Sequence, residues 1–290
     1  MHSFEELILS PVLSTVTGLL LLSGFSGLGF LLLKGLNINQ QIHRIHDCLI
    51  GAVICGQLTF LCVLSNQIVF ISFFGYCLLI IGICYLLTFR ISILKIFELI
   101  PLHFLLLLLI GFFLLSLSPL TNADSIDYHL GIPIYISKYG FLPDSAHWFH
   151  SRLFGFGELT NYLGLSIGTE KIGSLLQFMS LASISHIVSS NFSSDSNSMR
   201  RLFVLSVFSP PLLIFLIGTA KFQIFPIALI ILSVSLIINR DKYEGGLKGF
   251  FIVIFLAVSA PLYKFNFLLS GFLVTCFSFF SFWQKEMIRH

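Results

Sequence analysis

Apolar runs of about 20 residues recur along almost the whole of this chain. Hydrophobic residues make up 56% of the sequence and charged residues only 10%, whereas a soluble domain carries about 25% charged residues. The runs are long enough to cross the bilayer hydrocarbon, where the backbone has to satisfy its own hydrogen bonds. They are solidly apolar rather than alternating, which favours helices over a β-barrel. We therefore predict an all-α fold, a polytopic transmembrane helical bundle.

The apolar runs divide into nine predicted spans, separated by polar or Gly- and Ser-containing segments. The Pro210-Pro211 pair should kink or break the sixth span. One integral membrane domain is expected, with N-terminal spans in 1–120, a polar loop over 121–171 and C-terminal spans in 172–290. The nine spans are predicted at about 9–33, 48–65, 67–89, 99–119, 172–190, 202–218, 223–239, 249–263 and 267–283.

Lysine and arginine are divided unequally between the two sets of loops, eleven against five. The side with more positive charge is predicted to be cytoplasmic. The N-terminus and the 121–171 loop then lie on the external face of the cytoplasmic (inner) membrane. The formal net charge of +3 is small and dispersed, which argues against a nucleic-acid partner.

The 121–171 loop concentrates the polar chemistry of the chain. It holds three of the six Asp, two of the seven Glu and three of the nine His residues. Ionisable groups gathered at one place in a membrane protein favour a recognition or catalytic site. Two short amphipathic helices, over 125–138 and 151–166, are expected to lie at the membrane surface, where they face lipid or cover the bundle.

Asp124 lies about one helical turn beyond the apolar run that ends near Leu120. Asp127 follows three residues later and shares a face with Asp124 if the segment is helical. A carboxylate at the bilayer edge could act as a general base toward a hydroxyl group. The alternative is structural, because Asn122 or Asp124 could cap a short helix that starts at Ser125.

The loop also carries an arginine and several histidines. Arg152 has the planar fork that suits phosphate, or it forms a structural salt bridge with a carboxylate such as Glu158. His129, His147 and His150 could join an aspartate around a divalent cation. Their spacing matches no strong zinc pattern, so no metal site and no cofactor is predicted.

Two further cations, Lys221 and Lys264, lie at the ends of predicted spans on the same side as the loop. They either extend toward the interface as solvated charges or neutralise a lipid phosphate. The predicted substrate-binding residues are Tyr128, His129, His150, Arg152, Glu158, Lys221 and Lys264.

The segment that starts at Ala123, ADSIDYHLGIP, resembles the first external loop of polytopic GT-C glycosyltransferases. Bacterial members of that family have an Asp before a Tyr-His-Leu group, and here Asp124 stands four residues before Tyr128. The segment HWFHSRLFGFGELTNYLGL resembles the second half of that loop, and SPPLLIFLIGTAKFQIFPIALI is similar to a later pair of spans. The resemblance implies a GT-C-like bundle in which Asp124 is the catalytic carboxylate and Asp127 is the reserve candidate.

The resemblance also implies an activity. Such an enzyme takes a hexose or pentose from a polyprenyl-phosphate donor in the membrane lipid and transfers it, with inversion, to a glycan, lipid or protein acceptor outside the cytoplasm. The alternative is a non-transferase envelope protein, such as a polysaccharide polymerase or a transporter of lipid-linked sugars. The spans carry almost no ionisable residues near their centres, which counts against a transporter. About four spans precede the loop, whereas the family usually has one, so a divergent or truncated member is expected.

Overall fold

The computed structural model describes residues 8–38, 42–88, 103–144, 154–191, 205–239 and 246–289, and these residues form helices and connecting turns with no strand among them. The prediction of an all-helical chain is therefore confirmed. The helices are α1 (Pro11–Gly35), α2 (Asp47–Leu64), α3 (Val69–Thr88), α4 (His103–Ser116), α5 (Gly131–Tyr139), α6 (Phe156–Leu165), α7 (Ile172–Asn191), α8 (Leu212–Ile217), α9 (Ile224–Ile238), α10 (Gly246–Tyr263) and α11 (Leu268–Arg289).

Five helical segments in these ranges are long and apolar enough to cross a membrane, and three shorter apolar helices accompany them. Helices of this kind are typical of a membrane-embedded protein. The predicted interruption at Pro210-Pro211 is confirmed, since the helical residues 205–208 are separated from α8 there. The five long segments are Pro11–Gly35, Arg44–Leu64, Val69–Thr88, Ile172–Ser190 and Phe265–Trp283.

Glycines bring α1 very close to its neighbours α2 and α3. A Cβ atom on Gly51 of α2 would lie 1.9 Å from the carbonyl oxygen of Phe25 in α1. A Cβ atom on Gly24 of α1 would lie 2.3 Å from the carbonyl oxygen of Leu78 in α3. Small residues of this kind let two backbones touch, and the resulting dispersion contacts replace a hydrophobic driving force that lipid cannot supply.

Helix α6 lies inside the bundle rather than on its surface. All ten of its residues are buried, and it contacts α2, α3, α5, α7 and α10. The expectation of a surface-lying helix over 151–166 is therefore wrong for residues 156–165. Neighbouring helices cover the polar as well as the apolar side of α6, so its Glu, Thr and Asn side chains pair with protein groups instead of water.

The start of α1, the residues after α4 and the start of α7 meet at one end of the bundle, called here the loop end. Ser14 Oγ donates a 2.5 Å hydrogen bond to Glu170 Oε2. Lys171 Nζ lies 2.9 Å from Glu170 Oε1 and donates to the Ser118 carbonyl at 3.0 Å. These contacts place both ends of the 121–171 segment at the loop end.

The opposite end is marked by two other long-range contacts. His46 Nδ1, just before α2, lies 2.6 Å from Ser183 Oγ of α7. Lys248 Nζ, near the start of α10, donates to the Leu36 carbonyl just after α1 at 3.0 Å. Helices α1 and α7 therefore run from the loop end toward the opposite end, and α2 and α10 run back.

Candidate functional site

Five ionisable side chains from four separate segments gather at the loop end. Lys221 Nζ lies 2.9 Å from Asp124 Oδ2, and His129 Nε2 lies 3.9 Å from the same oxygen. His129 Nδ1 is 2.6 Å from Glu158 Oε1. Lys264 is close enough for its pKa to respond to the charges of Lys221, Glu158 and Asp124. We call these five residues the loop-end cluster.

A turn of π-helix over Ser125–His129 carries His129 and begins directly after Asp124. The turn is closed by the Leu130 N–H, which donates to the Ser125 carbonyl at 2.9 Å, an i to i+5 bond. Asn122 Oδ1 accepts from the Ser125 N–H at 3.2 Å, whereas the Asp124 side chain makes no capping bond. Of the two predicted caps, Asn122 fills that role, and the Asp124 carboxylate points to Lys221 instead.

Glu158 holds His129 from the first turn of α6. Its Oε1 pairs with His129 Nδ1, and its Oε2 accepts from the Gly155 N–H at 2.6 Å. The second bond satisfies one of the free N–H groups at the helix start, and the helix dipole favours a carboxylate at this position. Both side chains are buried, so the pair is rigidly placed behind Asp124.

Gln177 of α7 fixes the turn over 218–223 that carries Lys221. Its Oε1 accepts from the N–H groups of Gln223, Ile224 and Phe225 at 3.3, 2.8 and 3.2 Å. Its Nε2 donates to the Lys221 carbonyl. One buried amide thus caps the start of α9 and sets the backbone position of Lys221.

Asn161 of α6 joins the segments that supply Asp124, His129 and Lys221. Its Nδ2 donates to the carbonyls of His129 and Ala220 at 3.2 and 3.0 Å. The Ala220 N–H in turn donates to Ser125 Oγ at 3.3 Å. The relative position of the π-turn and the Lys221 turn is therefore set by direct hydrogen bonds between buried groups.

Lys264 follows a buried tyrosine that anchors the end of α10. Tyr263 OH donates to the Ala52 carbonyl at 2.8 Å and lies 3.3 Å from Thr160 Oγ1. Burial lowers the pKa of Lys264, and the nearby Lys221 charge lowers it further, against the opposing effect of the carboxylates. An added anion near the two ammonium groups would relieve this repulsion.

The charge state of Asp124 follows from its contact with Lys221. The hydrogen bond from Lys221 holds the pKa of Asp124 below its ordinary value, against a smaller opposing effect of burial. Burial raises the pKa of Tyr128, and the Glu158 and Asp124 charges raise it further, so this phenol is neutral at physiological pH. The site thus has an ionised carboxylate, 47% exposed, beside a Lys221 side chain that is 26% exposed. Such a surface can bind an anion and can also accept a proton from a hydroxyl group.

The structure brings together most of the candidate residues that it describes. Tyr128 adjoins the loop-end cluster, with its ring centroid 4.2 Å from that of His129. Asp127 is exposed on the same π-turn, whereas Asp124 contacts Lys221. His150 and Arg152 lie outside the described residues. Within the described ranges, no group of three or more His, Cys, Asp and Glu side chains is arranged to hold a metal ion.

Three contributors to this site were not predicted from the sequence: Ser125, Asn161 and Gln177. The signal for the last two was present, because an amide inside an apolar helix has to find partners or incur a large desolvation cost. Their partners are backbone groups of distant segments, which no local pattern identifies.

The comparisons with known proteins give a family and no relatives. Residues 79–288 match the sequence model of a family described as the DUF1420 N-terminal domain. No curated protein matches the chain, and no solved structure matches it. The matched region contains every member of the loop-end cluster as well as Asn161 and Gln177.

Proposed function

The chain belongs to the DUF1420 family, and from the chemistry of its loop-end cluster we propose that it is a membrane glycosyltransferase that uses a polyprenyl-phosphate sugar as donor. The acceptor is a glycan, lipid or protein at the external face of the cytoplasmic membrane. The observation that carries the proposal is the contact between Asp124 and Lys221, with Lys264 beside them. A carboxylate and two lysine side chains come together at one end of an apolar bundle, a combination of charges suited to a lipid-linked phosphate.

The proposed topology has nine passes. The contacts at the two ends of the bundle support it, because α1 and α7 run in one direction and α2 and α10 in the other. The excess of Lys and Arg in the loops of the opposite end supports a cytoplasmic location for that end. The loop-end cluster then faces outward, where a polyprenyl-phosphate sugar would present its head group.

In the proposed mechanism, the acceptor hydroxyl oxygen attacks the anomeric carbon of the donor sugar. Asp124 takes the proton as the new C–O bond forms. The bond between the anomeric carbon and the phosphate oxygen breaks on the opposite face, which inverts the configuration, and the phosphate keeps the electron pair. Lys221 and Lys264 stabilise the developing negative charge on the phosphate.

Lys221 has two partners in this scheme. In the structure it neutralises Asp124, which makes that carboxylate a weak base. A bound phosphate competes for the same ammonium group, and Asp124 becomes more basic as Lys221 moves to the phosphate. Binding of the donor phosphate therefore makes Asp124 a stronger base. Asp124 stays a weak base when only water occupies the site.

Radiolabelled sugar transfer from a panel of polyprenyl-phosphate sugars tests the proposal. Asp124→Asn is expected to lower transfer at least ~100-fold, because the proton has no acceptor. The matched control is Asp144→Asn, which removes an exposed carboxylate elsewhere in the same loop and should retain wild-type transfer. Full activity of Asp124→Asn in correctly inserted protein would refute the assignment, and movement of the lipid-linked sugar across the membrane without transfer would favour a transporter.

A further inference from the structure

His129 has one engaged nitrogen and one buried nitrogen without a hydrogen-bond partner. Nδ1 is paired with Glu158 Oε1 at 2.6 Å, whereas Nε2 has no partner. The imidazole is almost completely buried, and Nε2 points toward Asp124 Oδ2 at 3.9 Å. Because a carboxylate oxygen only accepts, Nδ1 carries the hydrogen and Nε2 presents its lone pair.

We propose that Glu158 and His129 form a proton-storing pair behind Asp124. The inference rests on the proposed transferase function and adds a second proton acceptor to it. Glu158 and His129 are positioning residues, because they act on the reaction only through Asp124. Asp124 is the one residue of the three that faces the acceptor. Asp124 passes the acceptor proton to His129 Nε2, and the carboxylate is ionised again while the donor bond is still breaking.

The proton balance of this step is complete without any added reactant. The acceptor loses its proton as its oxygen bonds to the anomeric carbon, and the leaving phosphate takes the electron pair of the broken C–O bond. The proton rests on the imidazole, which becomes a cation between the carboxylates of Glu158 and Asp124. After the product leaves, the proton returns through Asp124 to water, since that side chain is 47% exposed.

The distances support a short transfer. A separation of 3.9 Å is about 1 Å longer than an N–H···O hydrogen bond. A small rotation of the Asp124 side chain closes this gap once Lys221 has moved from Oδ2 to the phosphate of the donor.

Titratable groups from several segments lie in the cluster around His129. Asp124 and Tyr128 come from its own turn and Glu158 from α6, while Lys221 and Lys264 come from the turns before α9 and after α10. With His129 neutral, the two carboxylates and two ammonium groups balance. An added phosphate shifts the balance to negative, and a proton on His129 compensates for it.

The tautomer of His129 is measurable by ¹⁵N NMR of histidine-labelled protein in nanodiscs, at a pH where the imidazoles are neutral. Wild type should show Nδ1 protonated and Nε2 bare, with the signal assigned through His129→Asn. In Glu158→Gln the side chain keeps one oxygen, and that oxygen has to accept from the Gly155 N–H because the peptide hydrogen cannot move. The glutamine NH2 group then faces His129 Nδ1. The imidazole should therefore switch to the Nε2–H tautomer, so that Nδ1 accepts from the glutamine amide.

Glu170→Gln is the matched control, because Glu170 is the other acid at the loop end and pairs with Ser14 and Lys171 instead. It should leave the His129 signal unchanged. An Nε2–H tautomer in wild type overturns the proposal, and so does a Glu158→Gln spectrum identical to that of wild type. The wild-type measurement decides how His129 pairs with Glu158 even if the variant does not fold.

Separate measurements of kcat and KM distinguish a proton-storing role from a structural one. Glu158→Gln should lower kcat about 100-fold with KM unchanged, because its Nε2 already carries a hydrogen. Unchanged kcat in Glu158→Gln contradicts the proposal. Absence of transfer in wild type refutes the proposed function instead, and the tautomer result then still decides the pairing.

Discussion

Replacing Asn161 by leucine should loosen the whole candidate site. Its amide donates to the carbonyls of His129 and Ala220, which belong to the π-turn and to the Lys221 turn. Leucine has a similar size and shape but no donor, so both carbonyls stay buried without a partner. The backbone segments that carry Asp124 and Lys221 then lose the bonds that join them across α6.

The size of the effect follows from these two bonds. A buried polar group left without its partner costs about 1–3 kcal/mol, so two carbonyls cost about 2–6 kcal/mol. Asn161 Oδ1 is itself buried without a hydrogen-bond partner, and its removal offsets part of this cost. We expect a net loss of about 2–4 kcal/mol in the free energy of unfolding.

Thermal unfolding in detergent, followed with a thiol-reactive dye, measures this loss because Cys48 and Cys55 are fully buried. The matched control is Asn239→Leu, because the Asn239 amide directly after α9 donates to the Ser235 carbonyl in the last turn of that helix. Only a change of about 0.5–1 kcal/mol is expected there. If Asn161→Leu unfolds at the wild-type temperature, the amide does not join the two turns and the reasoning is refuted.

Two other perturbations can be measured with the same assay. Gly51→Ala should destabilise the folded protein by about 1–3 kcal/mol, because the new Cβ atom meets the Phe25 carbonyl. In the control Gly111→Ala the new Cβ atom meets no atom within 4 Å, and this variant should be stabilised by about 0.5–1 kcal/mol. Equal melting temperatures of the two variants would contradict the close packing of α1 and α2. Lys221→Met should raise the pKa of Asp124 toward its ordinary 3.8. Because that pKa is lowered in the folded state, the ion pair stabilises the protein above about pH 4, and this stabilisation disappears as the pH falls through the lowered pKa. The stabilisation is at most ~1 kcal/mol, because the pair is exposed. The wild type should therefore lose slightly more stability in acid than Lys221→Met, and parallel pH curves would exclude a stabilising pair.

Local sequence patterns were sufficient to predict that the chain is helical and to identify most of the polar residues of the candidate site. Hydropathy depends on neighbouring residues alone, so the break at Pro210-Pro211 and the apolar helices could be predicted without any knowledge of the fold. Asp124 and Lys221 were both candidates because each is a charge at the end of an apolar run. The choice between a cap and a site carboxylate at Asp124 needed the position of Asn122 and of a lysine 97 residues away.

The burial of α6 shows where a local pattern is insufficient. Residues 156–165 have an amphipathic composition, and the sequence therefore predicted a helix at the membrane surface. In the fold, the polar side of α6 meets His129, the Ala220 carbonyl and Tyr263, which satisfy it as water would have done. A polar face indicates a need for hydrogen bonds, but it does not tell whether water or protein will supply them.

The amino-acid sequence by itself determined that this chain forms apolar helices and that its ionisable groups are concentrated at a few span ends, because both follow from composition over short windows. Only the tertiary structure decided that Asp124, His129, Glu158, Lys221 and Lys264 form one cluster. Their meeting depends on buried amides from α6 and α7 that bond to backbone groups far away along the chain. Hydrogen bonds of that kind have no sequence period, and they exist only once the helices have packed.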